Sequence, residues 1–366
     1  MKINIITSGR FHVCDLAREL SRQGYDVRFY SYVPTKRLLK FGLSSNICYS
    51  FFYVISPFIL LERIIKCQLS KELRIKALDL MTGLLMRDCD VCIAMSGSFV
   101  YAIKKAKRNG AIVILERGSK HVLAQKIILD QFPKSRKISD FTVKREQEGY
   151  KIADYISIAS QHVKRSFEEY GVPSSKLFVN AYGVDLDQFY IIPGTKKEYD
   201  LIMVGNWSVQ KGCDLIVEVV REMGLRFLHV GAIYDLEFPD GELFTHIEPV
   251  DQKELVCYYN KATIFILPSR QEGLALVQSQ AIACNLPVVG SPDSGAQDLK
   301  SLVNDPEKII IIKDYSVSSI KEAVKEAISQ FNKMNDSLYA GDSVQKLTWE
   351  AYGLRYSDFL KRISKK

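Results

Sequence analysis

The sequence predicts an α/β protein of two domains, each built on a parallel sheet with helices on both faces. Three observations carry that reading. At 366 residues the chain exceeds the usual size of a single core. Short apolar, β-branched-rich runs alternate with segments of helical periodicity along its whole length. A turn-rich stretch, Pro193-Gly194-Thr195-Lys196-Lys197, separates one such series from a second.

In the first series Lys2–Thr7 reads as a strand and Val13–Gln23 as a helix, with Val13, Leu16, Ala17 and Leu20 at helical spacing. Val27–Tyr30 follows as a strand and completes a βαβ unit. Val91–Met95, Ala102–Arg108 and Ile112–Leu115 repeat the pattern, and Tyr155–Ala159 and Lys176–Asn180 add two strands. The second series begins at Asp200–Val204 and continues through Arg226–Val230, Thr245–Ile247, Thr263–Leu267, Pro287–Val289 and Ile309–Ile312. The expected domains are residues 1–190 and 195–346, with a terminal helix in 347–366 returning to the first.

Composition narrows the class. Apolar residues make up 47% and charged residues 25%, the proportions of a water-soluble globular protein. The eight cysteines are scattered, which reads as reduced thiols in a cytoplasmic protein, and Cys89-Asp-Val-Cys92 has no partner pair with which to bind a metal. The opening Met1-Lys-Ile-Asn-Ile-Ile is too short an apolar run for a signal peptide and reads as a first strand. Charge is uneven: residues 1–190 carry a net +12 and residues 191–366 a net −4. A basic first half suits anionic lipid or a lipid diphosphate, and no nucleic-acid motif accompanies it. From Ile47 to Leu61 the chain is almost wholly apolar between basic flanks, at 15 residues too short to cross a bilayer. Two expectations stand for it, a buried helix pair or a flap lying on a membrane, and burial is the favoured one.

The most informative segment runs from Thr263 to Ser291. It reads as strand, loop, helix and strand, with Glu272-Gly273 opening the helix. A helix that opens beyond the carboxyl end of a parallel strand turns N–H groups and positive dipole potential toward an anion. A carboxylate at that spot repels phosphate, yet it suits a ligand that carries sugar hydroxyls beside its phosphates. That ligand would be a nucleotide sugar.

Here the residues resemble the retaining GT-B glycosyltransferases of family four, whose signature is PS-x-x-EG-x-x-L-x-x-x-EA-x-A-x-x-x-PVV. The chain supplies Pro268, Ser269, Glu272, Gly273, Ala281, Ala283, Pro287, Val288 and Val289, and departs at the second acid, where Gln280 stands. Val204 to Gly212 resembles the family's diphosphate loop, with Lys211 on its lysine and Asn206 in place of its arginine. Ala153-Asp-Tyr-Ile-Ser157, Tyr182-Gly-Val-Asp185 and the terminal Trp349–Arg362 segment are also similar. The implied fold is GT-B, two Rossmann-like domains with parallel sheets facing across a cleft.

By that resemblance Gly205, Asn206, Lys211, Glu272, Gly273, Leu274, Ala275, Leu276 and Gln280 bind the donor. Glu272 contacts the transferred sugar, Gln280 the ribose, and Lys211 neutralises the β-phosphate as the glycosyl bond breaks. From the first domain Gly9, Arg10, His12, Arg117 and Ser119 line the cleft, and His121 faces the donor. Arg10, Arg117 or Lys120 would make good the charge lost at Asn206. No nucleophile elbow, HExxH or DxD metal pair stands in place, and the family's reaction requires neither metal nor bound cofactor. The expectation is a cytoplasmic hexosyltransferase at the inner face of the plasma membrane, serving surface polysaccharide assembly. It would take a nucleotide-sugar donor and a saccharide or lipid-linked acceptor, with peripheral contact to anionic membrane. The alternatives are a non-catalytic partner subunit and a nucleotide-sugar 2-epimerase.

Overall fold

The computed structural model describes residues 1–133, 135, 137–333 and 342–365; positions 334–341 and 366 of the expected second domain and terminal helix lie outside them. The first part of the chain forms β1 (Lys2–Ile6), α1 (Val13–Arg22), β2 (Asp26–Ser31), α2 (Thr35–Leu39), β3 (Cys48–Ser50), α3 (Phe52–Ile65), α4 (Gln68–Leu85) and β4 (Val91–Met95). It continues as α5 (Val100–Arg108), β5 (Ile112–Arg117), α6 (Val122–Asp130), α7 (Asp140–Ile152), β6 (Tyr155–Ile158), α8 (Gln161–Glu169) and β7 (Leu177–Val179). Its strands make one parallel sheet in the order β3-β2-β1-β4-β5-β6-β7.

The second part contains β8 (Tyr199–Val204), α9 (Cys213–Met223), β9 (Phe227–Val230), β10 (Phe244–Ile247), α10 (Leu255–Asn260), β11 (Ala262–Leu267) and α11 (Leu276–Ala283). After these come β12 (Val288–Gly290), α12 (Ala296–Leu299), β13 (Ile309–Ile311), α13 (Val317–Lys333) and α14 (Trp349–Ile363). Its sheet is parallel throughout, in the order β10-β9-β8-β11-β12-β13. The predicted class, two parallel-sheet α/β domains, is the observed one. Strands such as β11 and β12 are buried along their length, which is why they read as continuous apolar runs rather than alternating ones.

In each sheet the strand order reverses once, between β1 and β4 and between β8 and β11. At such a reversal the connections leave to opposite faces and open a crevice at the carboxyl ends of the strands. The loops after β8 and β11 are the two that carry the candidate donor residues.

Two local expectations are corrected. Glu272-Gly273 does not open a helix: α11 begins at Leu276, and residues 268–275 form a loop. The apolar stretch Ile47–Leu61 is not a buried helix pair. It supplies β3 and most of α3, and of the α3 side chains only Ile55 is fully buried. Pro57 inside α3 has no N–H to give the carbonyl of Tyr53, and the Ser56 hydroxyl donates to that oxygen instead, at 3.0 Å.

The last helix leaves the second domain and packs on the first. The Tyr356 hydroxyl donates to Glu116 Oε1 at 2.6 Å, the Tyr25 and Ser357 hydroxyls bond at 2.8 Å, and Phe359 stacks on Phe178 at 4.0 Å between ring centres.

Candidate functional site

The loop after β8 runs from Gly205 to Gly212 and that after β11 from Pro268 to Ala275. Backbone and side chain tie them into one unit. The Gln210 carbonyl accepts the Arg270 N–H at 2.8 Å and the Ser269 hydroxyl at 3.1 Å, and Gln210 Nε2 donates to the Gln271 carbonyl at 2.9 Å. Arg270 forks onto both carboxylate oxygens of Asp214, at 2.6 and 2.7 Å, and donates to the Val209 carbonyl. Gly212 adopts φ +73° with the Pro268 carbonyl so near that an added Cβ would lie 2.3 Å from its oxygen. These ties hold Lys211 against Glu272, whose ammonium and Oε1 form an ion pair with both side chains only slightly exposed. Ser269 Oγ adds a hydrogen bond to the same Oε1 at 3.3 Å.

The first domain closes on this unit. The Ser160 hydroxyl donates to the Gly273 carbonyl at 2.7 Å, and His162 Nε2 donates to the Glu272 carbonyl at 3.0 Å. Lys120 pairs with Asp293 at 2.7 Å, Gln271 Nε2 donates to Ser119 Oγ, and Arg10 donates to Gln252 Oε1 at 2.7 Å. Ser160, the N-cap residue of α8, makes no side-chain capping bond. Its hydroxyl is committed across the domain boundary. Burial lowers the His162 pKa, and the Glu272 carbonyl, which can only accept, calls for a proton on Nε2. Ser160, His162, Gln271 and Arg270 were not singled out from the sequence, because a hydroxyl or imidazole at a helix start carries no local sign of a partner more than 100 residues away.

Gly273 and Gly118 meet where the domains touch. A Cβ on Gly273 would stand 2.1 Å from the Gly118 carbonyl oxygen, so only glycine permits this approach. Gly273→Ala should therefore hold the domains apart and displace the loop that carries Glu272. Small-angle scattering should show the expansion, and unchanged unfolding temperature would separate it from misfolding.

The predicted residues are only partly brought together. Lys211, Glu272, Gly273 and Ser119 converge, Gly205 holds the turn after β8, and Asn206 is exposed beside it. Leu274 and Ala275 are buried and Leu276 begins α11. The Glu272 and Ala275 N–H groups donate to the Asp293 and Ser294 carbonyls, so these two donors face that turn rather than an anion. Gln280 is buried, and its Oε1 accepts from the Tyr259 hydroxyl at 3.0 Å.

Arg117 is not available to a phosphate: it pairs with Glu146 at 2.8 Å and donates to Gln125 Oε1 and the Lys120 carbonyl. Arg10 lies over the Phe41 ring at 3.6 Å. Gly9 is part-exposed in the loop after β1, where an added Cβ would meet only the Phe11 ring. His12 is buried on Tyr182, with Nε2 2.8 Å from Glu116 Oε2. Glu116, which the sequence showed only as a strand end, thereby links His12 to Tyr356 of α14.

His121 does not face the donor side. It caps α6 through Nδ1, which accepts the Leu123 N–H at 3.4 Å, and its ring packs against Tyr150, Phe167 and Tyr170. Burial, reinforced by the nearby Arg117 guanidinium, pushes its pKa down to about 4, and burial does the same to His229. Both rings are neutral in the folded protein, whereas in the unfolded chain each takes a proton near pH 6.5. Their contribution to stability is complete above that value and is lost as pH falls toward 4. The unfolding temperature should drop across this window, and His121→Phe should flatten the drop while keeping the aromatic packing.

Comparison with known proteins follows the same division between the domains. Residues 198–330 match the family model described as Glycosyl transferases group 1. An uncharacterized glycosyltransferase of Methanocaldococcus jannaschii is 23% identical over 193 residues, 48% of this chain and 50% of that protein. A GDP-mannose-dependent alpha-(1-6)-phosphatidylinositol monomannoside mannosyltransferase of Mycolicibacterium smegmatis is 24% identical, over 57% of this chain and 62% of its own length. The chain thus spans about half to two thirds of these relatives. Sucrose-phosphate synthase of Thermosynechococcus elongatus superposes over 100% of this chain and 99% of its own, with a TM-score of 0.67 at 15% identity. Anabaena HepE in complex with UDP and glucose gives 0.67 at 13% identity, over 99% of both chains. The fold is GT-B, and the domain that matches the glycosyl transferase model is the one that brings Lys211 to Glu272.

Proposed function

We propose that the chain is a retaining glycosyltransferase that moves a hexose from a nucleoside diphosphate sugar to a lipid-linked saccharide in surface-polysaccharide synthesis. The observation that carries the reading is the Lys211–Glu272 ion pair at the reversal point between β8 and β11. In an open α/β sheet that crevice is where a ligand binds. A cation and an anion side by side there suit a ligand with a diphosphate at one end and sugar hydroxyls at the other.

In the proposed reaction the bond between the sugar's anomeric carbon and the β-phosphate oxygen breaks, and the acceptor oxygen bonds to that carbon on the same face. The acceptor's proton passes to the departing β-phosphate. Lys211 offsets the charge gathering on that phosphate, and Glu272 turns from Lys211 to the sugar hydroxyls. Positioning and charge stabilisation supply the acceleration, so no side chain need act as a general base and no metal is required. The anomeric carbon is attacked only when the domains are closed, which keeps water out.

The hexose reading is supported by HepE, whose structures hold UDP with glucose and UDP-glucose. The lipid-linked acceptor is supported by the mycobacterial relative, named for a phosphatidylinositol mannoside, and the polysaccharide role by a 27% identical Klebsiella pneumoniae protein in a cps region. Engagement of Gln280 by Tyr259 and the neutral Asn206 favour one second reading, a non-catalytic partner subunit.

Thermal unfolding against UDP-, GDP-, ADP- and CMP-sugars without added metal tests both. A donor at 100 times its dissociation constant stabilises by about 2.7 kcal/mol. A shift with one donor class, followed by transfer to a lipid-linked saccharide with the anomeric configuration kept, supports the enzyme. No shift with any donor, with or without acceptor, favours the partner subunit.

A further inference from the structure

Asn206 stands where the resembled loop carries an arginine, and its main chain offers what its side chain lacks. Just past β8 the Gly205 N–H donates to the Val230 carbonyl of β9 at 2.9 Å. The Gly205 carbonyl turns the same way, accepting a hydrogen bond from His229 Nε2 at 2.8 Å, and an added Cβ on Gly231 would lie 2.1 Å from its oxygen. A trans peptide sets its C=O and N–H on opposite sides, and no peptide bond among the described residues is cis. The Asn206 N–H therefore points away from β9. In the order β9-β8-β11 that is the side of β11, whose following loop carries Glu272.

That amide is available to a ligand. The Trp207, Val209, Lys211 and Gly212 N–H groups of the same loop donate to the Ala232 carbonyl, Asp235 Oδ1, the Ser208 carbonyl and the Val209 carbonyl. The Asn206 N–H has no partner among the described residues, and the residue is exposed. Two histidines fix its direction. His229 of β9 and His246 of β10 stand opposite each other in register, with their Nδ1 atoms 2.9 Å apart. A carbonyl can only accept, so His229 carries its proton on Nε2. Burial keeps that ring neutral, and its Nδ1 accordingly accepts from His246. The hydrogen bonds run one way, from His246 to His229 to the Gly205 carbonyl. The His229 ring is fully buried beside Trp207 and Phe238, which leaves it no other position.

We propose that the Asn206 N–H is a diphosphate-binding donor that takes the place of the missing arginine, and that His229 and His246 are positioning residues that aim it. The proposal rests on the glycosyl-transfer reading for its ligand and adds a group to the site of Lys211 and Glu272. A main-chain donor pinned at its carbonyl has no side-chain rotamers to freeze when the ligand arrives, as an arginine would. It also leaves Lys211 as the cation on which the developing charge is gathered.

Inorganic pyrophosphate titrated into the full chain and followed by NMR tests it. In wild type the Asn206 amide proton should move downfield as pyrophosphate binds, together with resonances of Lys211 and Glu272. H229L, which leaves the Gly205 carbonyl without its donor, should bind pyrophosphate roughly tenfold more weakly, the scale of one hydrogen bond to a charged group. H229Q should recover wild-type affinity, because its amide offers an oxygen to His246 and an N–H to Gly205, the same polarity as the imidazole. Loss of packing alone would not be mended by that replacement. Movement at Lys211 and Glu272 with none at Asn206 overturns the proposal and leaves the glycosyl-transfer reading standing. No movement at any of the three overturns both. Wild-type affinity in H229L, or H229Q as weak as a folded H229L, removes the histidines from the role. The wild-type titration needs no variant, so it decides even where H229L does not fold.

Discussion

Lys211→Ala should lower turnover roughly 100- to 1,000-fold, the usual cost of removing one preorganised group from a developing negative charge. The magnitude follows from where the ammonium sits. It is held beside Glu272 with little exposure, so its field reaches the crevice with less screening than a surface lysine would suffer. Under the proposed function donor binding should weaken as well, because the variant would leave Glu272 facing the donor's diphosphate with no cation between them. That second effect has a signature. In Lys211→Ala/Glu272→Gln the repulsion is relieved, so donor affinity should recover part of its loss while turnover stays low, a non-additivity expected of residues in contact. Calorimetric titration with the donor and single-turnover kinetics separate the two quantities. Equal turnover in Lys211→Ala and wild type would remove the residue from the reaction.

Asp79→Ala should destabilise the first domain by about 3–5 kcal/mol, the range for breaking a buried ion pair from one side. The α5 N-cap residue, Phe99, makes no side-chain capping bond, and Asp79 of α4 serves the helix from a distance. Its Oδ2 accepts the Val100 and Tyr101 N–H groups at 3.0 and 2.9 Å and its Oδ1 accepts Ala102 N–H at 2.9 Å. Arg145 pairs with it at 2.6 Å and donates to the Gly97 and Ser98 carbonyls. Removing the carboxylate strands three helix-end donors and a guanidinium with little access to water. Urea unfolding should show the loss, and Asp79→Asn, which keeps an acceptor for the helix end, should lose less. A change below about 1 kcal/mol in Asp79→Ala would mean that the cap is dispensable.

The fold class was legible because buried parallel strands write themselves as apolar runs of a few residues. The loops after β8 and β11 were legible because Val204–Gly212 and Pro268–Gly273, which follow such runs, resemble motifs of a known family. Side-chain direction was not. His121 lies at the end of a strand like a cleft residue, yet three rings from α7 and the α8 end claim it, and nothing near position 121 encodes Tyr150, Phe167 or Tyr170. Gln280 follows the same logic, since Tyr259 is the partner that turns it inward. The Ile47–Leu61 segment shows the converse limit. Hydropathy counts apolar atoms, but whether they meet the core depends on how much sheet is left to cover, and Ile55 with a few neighbours suffices.

The return of α14 has a consequence for how the molecule is made. The carboxylate of Glu116 and the ring of Phe178 receive their partners from Tyr356 and Phe359 of α14. A domain ordinarily folds as its own sequence leaves the ribosome. This one takes its last wall from α14, beyond the whole second domain, so the half that emerges first must wait, that wall missing, until the helix has been made.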